Sequence, residues 1–264
     1  MIVTARPAVA NLAASFERSG ATVPAALAKA FTRRTEVVDR FAKRPVPDAD
    51  ALPVAVLGCL EAGVDPATDT DVRRITTAAH LAGLHGLAND IEAILLDAIR
   101  ATAQTSTPAI LTAWGRPFDK AARSLAEAHG VLGGVDLDDT TAIVKLGPEA
   151  TAAWSTARDA LGIIYAIVSG WLALYELIAG TTPNKRHRLI VIADIDASVW
   201  IDAELDGAKP DPWAALGHGL TLRLPTIDEH RAAIAGIEHE RTERADAAET
   251  QRRGALSGRN VRVG

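Results

Sequence analysis

Between Asp159 and Glu176 the chain reads Ala160-Leu161-Gly162-Ile163-Ile164-Tyr165-Ala166-Ile167-Val168-Ser169-Gly170-Trp171-Leu172-Ala173-Leu174-Tyr175, sixteen residues without a charge. The run is apolar on every side, the pattern of a helix buried all round. Upstream, Gly147-Pro148-Glu149 reads as a helix start, with proline at the first helical position and an acid in the first turn. The expected helix therefore runs from there to about Ala179. A membrane span needs about 20 apolar residues, so the uncharged run is short for one. A central core helix is the first reading and an oligomer interface the second. Membrane contact is kept in view only by the basic cluster Lys185, Arg186 and Arg188 just beyond.

Working toward the N-terminus, the segments also read helical. Residues 108–130 form an amphipathic pattern with Trp114 and Phe118. Leu84, Leu87, Ile91, Ile94 and Ala98 repeat at spacings of 3 and 4, a short heptad-like seam, with Gly83 and Gly86 allowing a close approach or a break at its start. Thr68, Asp69 and Thr70 are candidate N-caps for the helix leading into it. Residues 51–62 predict a short apolar helix holding the single cysteine, Cys59, expected as a buried inert thiol. Residues 23–43 carry the stripe Leu27, Ala30, Phe31, Val37, Val38 and Phe41, and Pro45 ends that helix. Arg34 falls within the apolar arc and needs a partner.

Toward the C-terminus the texture changes. Leu189-Ile190-Val191-Ile192 is β-branched and short, which predicts a buried strand. Residues 198–205 and 219–224 are expected to add two more. Pro225 closes this element, and Thr226 is the expected cap of a final helix whose apolar face reaches only Ile234 and Ile237. Beyond them Glu240 and Arg244, and Glu249 and Arg253, stand at i,i+4 on a solvated helix. The arginines Arg252, Arg253, Arg259 and Arg262 then form a basic tail.

The 264 residues are ample for a core without disulfide or metal staples, and the net charge of −5 argues against a dedicated nucleic-acid binder. One cysteine makes neither an intramolecular disulfide nor a structural zinc site. The start, Met1 to Pro7, lacks the pattern of a signal peptide, so a cytoplasmic location is expected. The chain holds 52 alanines, 22 arginines and 6 lysines, the skew of GC-rich codons, and alanine itself favours helices. A bacterial, phage or prophage source is expected on that ground.

Leu189 to Ser198, with Asp194 and Asp196 two apart, is similar to the first motif of haloacid-dehalogenase-type phosphotransferases, and Lys209-Pro210-Asp211-Pro212 resembles that family's lysine motif. The resemblance implies Asp194 as nucleophile and Asp196 as acid/base. Its spacing fails: Lys209 follows Asp196 by thirteen residues, and the 66 residues after Ser198 are too few for a doubly wound sheet with its metal-binding acids. Asp136-Leu137-Asp138-Asp139 lacks the glycine and terminal glutamate of a calcium loop and reads as helix-capping acids. His80 and His85, five apart on one helix, diverge by about 140° and do not read as a metal pair. No serine-nucleophile elbow or phosphate loop occurs, and Gly217-His218-Gly219 lacks the third glycine of a dinucleotide site.

The fold class expected is mainly α: a helical bundle over 1–132, a long apolar helix with a small β element over 133–225, and a protruding charged helix with a basic tail over 226–264. No catalytic, cofactor or metal residue is assigned. The expected function is a non-catalytic assembly or protein-interaction role, self-association included, with virion assembly or scaffolding as its phage form. Trp171, Arg241, Arg244, Arg252 and Arg253 are the candidate partner contacts. A nucleic-acid-associated regulator is the alternative, with Arg33, Arg40, Lys43 and Arg44 as candidate phosphate contacts on a face whose sum over residues 29–44 is +4. An enzyme using Asp194 and Asp196 is the third reading.

Overall fold

The protein is represented by a computed structural model that describes residues 5–84, 86–205 and 207–259, with side chains up to residue 253. Among these residues lie ten α-helices: α1 (Ala5–Ser19), α2 (Ala25–Ala42), α3 (Ala51–Glu61), α4 (Thr70–Gly83), α5 (Leu87–Leu132), α6 (Thr140–Lys145), α7 (Pro148–Ala179), α8 (Ala197–Asp202), α9 (Pro212–Gly217) and α10 (Ile227–Arg259). A 3-10 helix spans Lys185–Val191, and β1 (Ala193–Asp194) pairs antiparallel with β2 (Thr221–Leu222), Ala193 opposite Leu222. The fold is mainly α with one two-stranded element near the C-terminus.

Contacts divide the chain differently from the expected boundaries at 132 and 225. One unit joins the described residues up to Pro24 to those from Ala103 onward; the other is residues 25–102. α5 contributes to both. The expected split followed chain order, whereas α1 joins the later unit because its apolar face lies against α7.

α7 is the centre of the larger unit. Over Pro148–Ala179 it is long and apolar enough to cross a membrane by length and composition, a longer stretch than the uncharged run alone, and 56% of its most apolar window is buried inside this fold. Ile164, Ile167, Trp171 and Leu174 have no exposed surface. Gly147 precedes Pro148 as N-cap, and Gly180 ends the helix in the left-handed conformation at φ 71°, which glycine adopts without steric cost. α1 and α7 meet at Gly170. A Cβ there would stand 2.7 Å from Trp114 Cζ2 and closer still to Ser15 Oγ and Cβ. Ser15 is buried, and its hydroxyl donates to Leu12 O at 2.7 Å within its own helix. Phe16 and Trp114 complete the contact with ring centres 5.1 Å apart.

Several expected elements take other forms. The helix expected over 108–130 is part of α5, which runs from Leu87 through Pro108 and Pro117 without ending. Proline cannot donate to the carbonyl four residues back, so Pro108 leaves Gln104 O short of a donor. The Thr107 hydroxyl lies 3.0 Å from that oxygen and 2.9 Å from Ala103 O. Between α4 and α5 the chain breaks at Leu84, so the 84–98 seam is not one helix. The buried set there is Leu95, Leu96 and Ile99, while Ile94 is 67% exposed.

Leu189 to Ile192 is buried as expected, but residues 189–191 close a 3-10 helix started by the Asn184 side chain, which accepts from Arg186 N; the strand begins at Ala193. Residues 198–205 are not a strand. Most of them lie in α8, which turns Trp200 into the core. Of the expected third strand, Thr221–Leu222 forms. Thr226 caps α10 reciprocally with Glu229: Glu229 N donates to Thr226 Oγ1 at 3.1 Å, and Thr226 N donates to a Glu229 carboxylate oxygen at 2.7 Å.

Gly170→Ala is expected to lower stability by about 1–3 kcal/mol, because the added methyl overpacks a contact already closed by Ser15 and Trp114. Urea unfolding checks this, and Ser15→Gly in the same chain should recover part of the loss. An unchanged midpoint for Gly170→Ala would show that α1 and α7 do not meet there.

Candidate interaction surface

The unit of residues 25–102 leaves much of its apolar surface uncovered. Asp69 caps α4 by accepting from Val72 N at 2.9 Å, as expected, and α3 packs beside α4. Yet no residue of α3 is buried. Val54, Leu57 and Leu60 are 66%, 56% and 61% exposed. At 100° per residue, Leu60, Leu57, Glu61 and Val54 fall within an arc of about 120°, so the exposed side of α3 is one apolar stripe with a single carboxylate in it. Among the described residues, nine of the fourteen exposed large apolar side chains lie in these 78 of 264 residues. The exposed apolar side chains are thus concentrated in this unit. Cys59 is half-buried rather than buried as expected. Burial, helped by the carboxylates of Asp69 and Asp71, raises its pKa and keeps it a neutral thiol.

The α2 stripe is also only half covered. Leu27 alone is buried, and Val38 remains exposed. Arg34 finds its partner in Glu92. Of the candidate phosphate contacts, Arg40 faces Glu36 at 3.8 Å and Lys43 faces Asp39 at 3.1 Å, each one turn away. Arg33 is exposed, and Arg44 folds over the Phe41 ring at 3.7 Å. Two of the four cations are thus already set against acids of their own helix.

The candidate partner contacts in the larger unit are mostly engaged within it. Trp171 is fully buried and its indole N–H donates to Pro225 O at 2.9 Å, so it offers no surface to a partner. It was singled out from an apolar run, and complete burial is what that run produces. Arg241 pairs with Glu238 at 2.8 Å. Arg244 pairs with Asp202 at 2.6 Å and Glu240 at 2.8 Å, which holds its guanidinium charged and lowers the Asp202 pKa. The Arg244–Asp202 bond ties this stretch of α10 to α8, while residues 245–253 beyond it are exposed. Arg253 pairs with Glu249, and Arg252 is exposed. The Arg259 side chain and Arg262 lie outside the described residues, as does His85.

Asp194 is exposed and faces Arg223 at 3.6 Å, which also pairs with Glu229. Asp196 is exposed as the N-cap of α8. A cavity of about 40 Å³ beside Asp194, lined by Ile190, Arg223 and Glu229 among others, is too small for a substrate. Asp136, Asp138 and Asp139 act as the expected loop acids: Asp139 caps α6, Asp136 accepts from Asp138 N, and Asp138 pairs with Arg158 at 3.1 Å. Among the described residues no three His, Cys, Asp or Glu side chains group as a metal requires.

Sequence reasoning missed His230. It is fully buried on α10, with Trp171 4.9 Å and Tyr175 5.7 Å from its ring centre, and neither ring nitrogen has a hydrogen-bond partner. Burial first, then the nearby His187 and Arg231, pushes its pKa down to about 4. No protein-family model matches this chain, nor does any curated protein or solved structure.

The depressed His230 pKa sets a pH dependence. Above pH about 6.5 the imidazole is neutral in both states and the native fold keeps its full stability. As pH falls through 6.5 toward 4 the unfolded chain takes up a proton that the native chain refuses, so stability is lost. The loss reaches about 3 kcal/mol once both states are protonated, given a native pKa of about 4. Urea midpoints at pH 7 and pH 5 check this. His230→Phe should flatten that part of the pH dependence, and an unchanged slope would place the titration elsewhere.

Proposed function

We propose that this protein is a non-catalytic interaction protein that works by presenting the apolar surface of residues 25–102 to another protein chain. The observation that carries the reading is α3: an eleven-residue apolar helix of which no residue is buried. Full burial of a Val or Leu side chain is worth about 1.5–3 kcal/mol, so Val54, Leu57 and Leu60 hold binding energy that the monomer leaves unused. An assembly or scaffolding role fits such a surface, and its phage form rests on composition alone. The nucleic-acid reading draws less support, since Arg40 and Lys43 face their own acids. The enzyme reading draws less again, since the acid pair it needs has Asp194 set against Arg223.

A photo-crosslinking residue at position 57, in cells that make the protein natively, is expected to give adducts of defined mass. The same residue at position 144, exposed in the other unit, should not. Leu57→Glu should leave the urea midpoint within about 0.5 kcal/mol of wild type, as for a surface site. Position 57 giving no more adducts than position 144 would overturn the reading.

A further inference from the structure

A second apolar feature of residues 25–102 is a groove of about 330 Å³ formed by the end of α2, the turn after it and the start of α5. Val38, Phe41, Val46 and Ile91 supply its apolar walls, with the small Ala42 and Ala88 between them. Its one unanswered charge is Arg44. The guanidinium lies over Phe41, and its Nη1 is buried with no acceptor. A buried donor on a charged group without a partner is costly unless an acceptor arrives from outside. The other charge lining the groove, Glu92, already holds Arg34.

The exposed stripe of α3 has the complementary chemistry. It is helical, apolar through Leu57 and Leu60, and carries one carboxylate, Glu61, four residues after Leu57. Among the described residues Glu61 makes no ion pair. No base occurs between Pro45 and Val72, while Asp48, Asp50, Glu61, Asp65, Asp69 and Asp71 do. The segment is therefore acidic as well as apolar. Helix-in-groove recognition uses anchors three and four residues apart on one helix face, which Leu57, Leu60 and Glu61 provide.

We infer that the occupant of this groove is a second copy of the chain: α3 of one protomer lies in the α2–α5 groove of its partner, Leu57 and Leu60 against Val38, Phe41 and Ile91, with Glu61 on Arg44. The inference rests on the interaction reading above and names its partner. Groove and helix belong to the same unit, so a two-fold arrangement places each α3 in the other copy's groove and makes the Arg44–Glu61 pair twice.

Size-exclusion chromatography with light scattering on the full chain tests it. The wild type is expected to run as a dimer. Glu61→Arg and Arg44→Glu should each raise the dimer dissociation constant about tenfold or more, since a like-charge pair then faces itself at both contacts. The chain carrying both substitutions should return to within about threefold of wild type, because the pair is restored with its sign reversed. Glu61 is exposed, so Glu61→Arg keeps the test valid if Arg44→Glu disturbs the groove. A wild type that is monomeric at about 100 µM, far above a micromolar dissociation constant, overturns the inference. So does a double variant no better than the singles. A monomer whose position 57 still crosslinks to other proteins removes self-docking alone, whereas a monomer without crosslinks removes the interaction reading too.

Discussion

The missing side chain at Gly170 is the constraint on which the larger unit depends. Because nothing projects there, α1 settles on α7 at a distance that only a hydrogen atom permits, with Ser15 and the Trp114 ring filling the space. Ser15 and Ser19, both buried in this contact layer, give their hydroxyls to carbonyls of α1 itself, Leu12 O and Ser15 O. They therefore act as small residues without leaving a donor unmet. α7 adds Ala157, Ala160, Ala166 and Ala173 to its buried set. An alanine-rich chain serves such packing well, since short side chains bring helix axes close while longer ones such as Phe16 and Trp114 fill what remains.

Around that contact, the elements legible in the sequence are those whose signal is local or long. The 160–175 run, bounded by Asp159 and Glu176 and preceded by Gly147-Pro148, had room to show that it is apolar on every side. Asp69, Asp139 and Thr226 were readable because a cap is a bond between neighbours in sequence. Leu189 to Ile192 was not: four buried residues cannot distinguish period 2 from period 3, and β-branching is a weak preference that the Asn184 turn overrides. The 84–98 seam was misread toward its end, since Leu95, Leu96 and Ile99 are covered and Ile94 is not, while Leu87 and Ile91 are half-buried. His230 carried no signal at all, because its ring environment is made by Trp171 and Tyr175 of α7, 55 or more residues away along the chain.

The uncovered apolar surface of residues 25–102 lay beyond sequence reading for a related reason. The apolar stripe of α2 and the apolar composition of α3 were visible, and Cys59 on α3 was expected to be buried. Sequence period reports that a helix has an apolar side; it does not report whether the chain supplies anything to cover it. Of the candidate contacts chosen for their charge, Arg241 pairs within α10 and Arg244 fastens α10 to Asp202 of α8. The uncovered apolar surface lies instead on α3, where no contact residue was assigned.

The small unit also shows why uncovered apolar surface bears on stability as well as on binding. Its large apolar residues buried in full are Leu27, Val72, Leu95, Leu96 and Ile99, against nine left exposed. Burial scales with size, so a segment of 78 residues is marginal even when its core is complete. A partner docked on α3, as proposed above, would bind the folded unit and not the unfolded one, and so would add to its stability by mass action. The larger unit, with Trp114, Trp171 and Trp200 fully enclosed, has no comparable need. Under the proposed interaction, folding of residues 25–102 and association through them would be coupled, with the same uncovered surface contributing to both.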